Sequence, residues 1–92
     1  MNGFIYLIEF NNLYKIGYSV NPENRLKQLC LGESGKIVFK KNVPHPRKFE
    51  NILHKEFSDK QVSGEWYNLS ESDLDYVNSF EHDSITELLN DY

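Results

Sequence analysis

Gly3-Phe4-Ile5-Tyr6-Leu7-Ile8-Glu9-Phe10-Asn11-Asn12-Leu13-Tyr14-Lys15-Ile16-Gly17-Tyr18 is two β-branched or aromatic runs separated by two asparagines. Asparagine tolerates the positive φ that a type I′ turn demands, so the stretch reads as a tight hairpin. With Asn11-Asn12 as the loop, Tyr6 faces Gly17 and Ile8 faces Lys15. Strand alternation then puts Tyr6, Ile8, Lys15 and Gly17 on one face. Tyr6 and Lys15 are diagonal neighbours, and Gly17 leaves space over the Tyr6 ring, so phenol and ammonium are expected to meet there. A nearby cation favours the phenolate and lowers the tyrosine pKa, which makes a usable general base. Without further context the same two residues are a sheet aromatic and a solvated strand lysine. Tyr14 and Tyr18, on the other face, read as packing or rim residues.

Outward from the hairpin, Asn21 caps and Pro22 opens a helix carrying the apolar stripe Leu26, Leu29 and Cys30, with Gly32 as its stop. Lys36 to Val43 reads as a third strand, broken by Pro44-His45-Pro46. A second helix runs from about Arg47 to Lys60, with Phe49, Ile52, Leu53 and Phe57 as its buried stripe. Gly64-Glu65-Trp66-Tyr67-Asn68-Leu69 is a turn and a short extended segment, with Trp66 expected in the core. Ser70-Glu71-Ser72-Asp73 is an N-cap signature before Leu74, Val77 and Phe80. Ile85, Leu88 and Leu89 suggest a short last helix. The expected fold class is α/β: a small, mainly antiparallel three-stranded sheet flanked by helices.

At 92 residues the chain suits one domain, 1–92, with an acidic helical segment at about 70–92. A lone cysteine allows no internal disulfide, and no Cys/His cluster suggests structural zinc. The apolar N-terminus is short, lacks a basic region and is interrupted by Glu9, so it is no signal peptide. No apolar run approaches the roughly 20 residues of a membrane span. The expected location is the cytoplasm of a bacterial, phage-infected or virus-infected cell. The net charge of −4 hides a division. All ten Lys and Arg lie between Lys15 and Lys60, a stretch of net +5, whereas Gln61 to Tyr92 has eight acids and no Lys or Arg. A basic body can meet phosphate, and an acidic tail cannot.

Phe4-Ile5-Tyr6, Lys15-Ile16-Gly17, Arg25 in the next helix and Glu50 in a later one together resemble the GIY-YIG nuclease superfamily, with its β-β-α-β-α-α order. The resemblance covers roughly Gly3 to Leu69 and is closest to the short phage- and virus-type branch. That branch has a lysine before Ile-Gly, an Arg-Leu-Lys-Gln-Leu-like helix, a Glu-x-x-x-His helix and a Gly-Glu-Trp-Tyr ending. It implies Tyr6 as catalytic tyrosine, Arg25 as phosphate-contacting arginine and Glu50 as metal-binding glutamate. Phe4 replaces the first motif glycine and Lys15 the second motif tyrosine, a variant that some nucleases of the family carry. Leu29 stands where many members have His or Tyr.

The expected activity is hydrolysis of DNA phosphodiester bonds with one Mg²⁺ or Mn²⁺ held by Glu50. Tyr6, assisted by Lys15, takes a proton from the attacking water, while Arg25 and the metal offset charge on the phosphate. One carboxylate suffices for Mg²⁺, which fills its other positions with water and phosphate. His54, one turn after Glu50, is a further catalytic candidate or a helix-surface hydrogen-bond partner. Arg25, Lys27, Arg47, Lys48 and Asn68 are candidate nucleic-acid contacts. Specificity must come from loops, dimerisation or a protein partner. Two other readings stay open: a non-cleaving DNA-binding module on the same scaffold, and an interaction or inhibitory domain acting through the acidic tail.

Overall fold

The computed structural model describes residues 3–29, 31–80, 85, 87, 89 and 90. Cys30, expected in the core, and Leu88, Glu81, Asp83 and Asp91 of the acidic segment lie outside the described residues. The elements run β1 (Gly3–Phe10), β2 (Leu13–Ser19), α1 (Pro22–Gln28), β3 (Lys36–Val43), α2 (Pro46–Glu56), β4 (Gln61–Ser63), β5 (Trp66–Tyr67) and α3 (Glu71–Asn78). Short 3₁₀ turns at Gly32–Ser34 and Ser58–Lys60 link them.

The hairpin forms in the expected register. Tyr6 pairs with Gly17 and Ile8 with Lys15, and Asn11 and Asn12 take φ of 53° and 63°, the left-handed values a type I′ turn needs. The sheet is larger than the three strands expected. Its order is β3-β1-β2-β5-β4, antiparallel throughout. The two extra strands form a small hairpin turned at Gly64, whose φ of +55° suits glycine. α1 is shorter than its apolar stripe suggests. Asn21 caps it by accepting from the Asn24 amide at 3.1 Å, but it ends with Leu29 as C-cap, before Gly32.

One face of the sheet presents Ile5, Leu7 and Ile16 to Phe49, Ile52 and Leu53 of α2, to its C-cap Phe57 and to Val77 of α3, and all are buried in a single cluster. The acidic C-terminal segment closes this core. Ser70 and Asp73 make the expected capping box, Phe80 meets Phe49 edge-on at 5.4 Å, and the helical residues Ile85 and Leu89 are buried in the same cluster. The opposite face carries Tyr6 and Ile8 under α1, which is tied to β3 by a Lys40–Glu23 ion pair. Trp66 is not in the core as expected. β5 pairs Trp66 with Lys15 and Tyr67 with Tyr14, so alternation sends Trp66 to the Tyr6 face, half-buried beside Phe10, and buries Tyr67 instead.

Candidate active site

α1 and α2 lie on opposite faces of the sheet, and their functional side chains meet at the edge of β2. β5 pairs with β2 at Tyr14 and Lys15, and the Ile16 amide donates to the Glu65 carbonyl at 3.1 Å, so the β2 edge is left free for side chains beyond Ile16, beside Gly17. Tyr6 on β1 lies across β2 at Gly17, so close that a Cβ built on Gly17 would come within 2.4 Å of the phenol oxygen. The space expected above the Tyr6 ring is therefore filled by the ring itself. The missing side chain at Gly17 leaves room for the phenol of Tyr6, a side chain only 1% exposed.

The cation acting on Tyr6 is Arg25, not Lys15. Arg25, on α1, favours the phenolate, while its Nη1 donates to Gln28 Oε1 at 3.4 Å. Lys15 is instead held by Glu65, Nζ to Oε2 at 2.8 Å, and its ammonium lies 6.0 Å from the Trp66 ring centroid. The reason is β5: pairing Trp66 with Lys15 brings the neighbouring carboxylate to the ammonium before it can turn to the tyrosine. The consequence for acidity also differs from expectation. Burial raises the Tyr6 pKa above its ordinary value, and Glu65 and Glu50 push it the same way. Arg25 opposes them without prevailing. Tyr6 is a neutral phenol at neutral pH in this state.

Glu50, on the flank of α2, also has a raised pKa. Burial is the main cause and Glu65 adds to it, while His54, Lys15 and Arg47 oppose. His54 follows one turn later. Its Nε2 donates to the Ile16 carbonyl at 3.1 Å, and its ring lies 5.5 Å from that of Tyr67. That bond pins α2 to the β2 edge and commits one ring nitrogen. The phenol of Tyr67 is raised by burial and then by Glu65 and Glu50, so a second tyrosine borders the carboxylates.

Tyr6, Arg25, Lys15, Glu50 and His54 thus come from β1, α1, β2 and α2 to one edge. Glu65 and Tyr67 complete the group, and sequence reasoning missed both. Glu65 immediately follows the turn glycine Gly64, but its target was invisible without the β5–β2 pairing. The candidate nucleic-acid contacts are more dispersed. Arg47 acts on Glu50. Lys27 is exposed on α1, two positions from Arg25 and so on a different side of the helix. The Lys48 ammonium is bonded to the Leu89 carbonyl. Asn68 is exposed, its amide on the Lys60 carbonyl at 2.9 Å.

Among the described residues no group of three His, Cys, Asp or Glu could hold a metal. A cage of protein ligands is therefore not what these residues offer. Glu50 does fit a hard cation that brings its own waters: it is an oxygen donor whose charge is poorly compensated by its surroundings. No helix among the described residues is long and apolar enough to cross a membrane.

Gly17→Ala tests this geometry directly. The added methyl meets the tip of a rigid, buried ring, so Tyr6 must move. A loss of about 1–3 kcal/mol in unfolding free energy is expected, with displacement of the phenol. A variant as stable as the parent, read by denaturant unfolding, would show that Tyr6 does not depend on the Gly17 opening.

No curated protein and no solved structure matches this chain. Residues 3–80 match the T5orf172 domain, which is associated with phage-type, GIY-YIG-like nuclease-related proteins. The match extends from β1 through α3 and includes every residue of the edge cluster. The chain belongs to the T5orf172 domain family.

Proposed function

We propose that this protein is a metal-dependent DNA endonuclease that hydrolyses phosphodiester bonds at the β2 edge. The observation that carries the reading is the convergence of a phenol, a guanidinium and a carboxylate from three separate elements, with Arg25 and Glu50 both acting on Tyr6. The family's association with nuclease-related proteins supports it.

In this mechanism Arg25 holds a non-bridging phosphate oxygen with its planar fork while its charge favours the Tyr6 phenolate. Glu50 is the residue that would hold a divalent ion, and such an ion would supply positive charge to the phosphate oxygens as they become more negative. Tyr6 is the proton acceptor for the attacking water: as the new P–O bond forms, the ester P–O bond breaks and the leaving oxygen takes a proton from solvent. The resting phenol of Tyr6 is neutral, so it must first lose its own proton to solvent. Arg25 favours that loss, and neutralising Glu50 removes one of the two carboxylates that oppose it. Base and metal site are thereby coupled: the phenolate forms more readily when the charge of Glu50 is balanced. Lys15, held by Glu65, sets the position of that second carboxylate. His54 is a positioning residue that fixes α2, and hence Glu50, against β2.

The test is incubation of the chain with supercoiled plasmid and with single-stranded DNA, in Mg²⁺, in Mn²⁺ and in EDTA. Metal-dependent cutting of either substrate is expected, together with none in EDTA. DNA binding without cutting under any of these conditions would leave a non-cleaving module on the same scaffold.

A further inference from the structure

Between the end of β2 and the first turn of α2 lies a groove of about 510 Å³, lined by Tyr18, His45, Pro46, Arg47, Lys48 and Asn51. Its size is that of a small-ligand pocket. Tyr18 is 40% exposed although it is a large aromatic. Among the described residues the groove wall includes an arginine, a lysine, a histidine and an amide but no carboxylate, in a chain whose net charge is −4. The first turn of α2 likewise has no acidic residue, and His45 provides no side-chain cap for its amides. The ammonium of Lys48 is already bonded to the Leu89 carbonyl, which leaves Arg47 as the cation for a ligand. Arg47 also acts on Glu50, three residues along the same helix, where neighbouring Cβ atoms are about 5–6 Å apart. The groove therefore continues from the edge cluster.

We propose that this groove is a nucleotide-binding subsite: the nucleotide beside the scissile phosphate lays its base on the Tyr18 ring and its own phosphate against Arg47. The inference rests on the nuclease reading and adds to it a place for the flanking nucleotide. A flat aromatic half in water beside a guanidinium fits a base and its phosphate, because every base has a π-face to stack. A ring alone or a cation alone would not select such a ligand. The stacking is independent of base identity, so the subsite orients a strand without reading its sequence.

The test uses the full chain carrying Glu50→Gln, which binds without cutting, and a fluorescent single-stranded oligonucleotide. Tyr18→Ala in that background should weaken binding about 5- to 150-fold, the range for losing one stacked base, whereas Tyr18→Phe should bind as the parent background does. An oligonucleotide with an abasic nucleotide at the stacked position should lose affinity on the Glu50→Gln protein and lose no more on the Tyr18→Ala variant. Arg47→Ala should reduce the salt dependence of binding by about one phosphate contact. Equal affinity of Tyr18→Ala and its background, with the parent still cutting DNA, would overturn the subsite and leave the nuclease reading standing. A parent that neither binds nor cuts DNA would overturn both. Unchanged thermal unfolding of each variant, expected for exposed positions, confirms that affinity alone is being read.

Discussion

Glu50→Gln will abolish cleavage and leave a folded protein that melts at pH 7 no lower than the parent. The first half follows from the role assigned to Glu50: the amide cannot supply the negative oxygen a divalent ion needs, and a loss of about 10³-fold or more in rate is expected. The second half follows from its environment. The Glu50 pKa is raised in the folded state by burial and by Glu65, so folding favours its protonated form. The stability this contributes is present below the unfolded carboxyl value and is lost as pH rises through the folded one. At pH 7 the parent bears the cost of an ionised, partly desolvated carboxylate, and the neutral amide of the variant does not. The difference in melting temperature should therefore vanish in acid. Mg²⁺ should raise the parent's melting temperature and not the variant's, since only a state that binds the ion gains from it. A variant that unfolds far below the parent at pH 7 would make Glu50 a structural residue.

Tyr6→Phe should lower the rate by about 10²-fold or more while changing stability by about 1 kcal/mol or less, because the ring that fills the space at Gly17 is retained. The pH profile separates the two cations. Activity that needs the phenolate rises with pH towards the raised Tyr6 value. Arg25 lowers that value, so Arg25→Gln should move the rise to higher pH as well as weakening phosphate binding. Lys15→Met acts on Tyr6 indirectly, by releasing Glu65, and should shift the profile less. A profile moved by Lys15→Met and not by Arg25→Gln would return the ammonium to the side of the phenol and contradict the arrangement described here.

The hairpin was legible because two asparagines and strand alternation leave one register, and the Tyr6–Gly17 pairing followed from it. The Glu50/His54 flank of α2 was legible from helical spacing. What remained hidden depended on contacts between distant segments. Nothing local to Gln61–Tyr67 says that it pairs beside β2, yet that pairing turns Trp66 out of the core, puts Tyr67 into it and delivers Glu65 to Lys15. The acidity of Tyr6 departs from the hairpin expectation for a related reason. Its nearest cation in the strand register is Lys15, and the register does not report the burial that outweighs any cation. The apolar stripe of the acidic segment was visible, whereas its seat against Phe49 in the α2 core required the folded chain.

The most direct measurement of the central claim is the single-turnover rate of plasmid nicking in Mg²⁺, with the parent and Glu50→Gln purified identically and an EDTA arm for each. Nicking by the parent in Mg²⁺ and not in EDTA is expected, with a rate lower by about 10³-fold or more in the variant. Equal rates for the two proteins, or nicking that persists in EDTA, would contradict a metal-dependent site at Glu50.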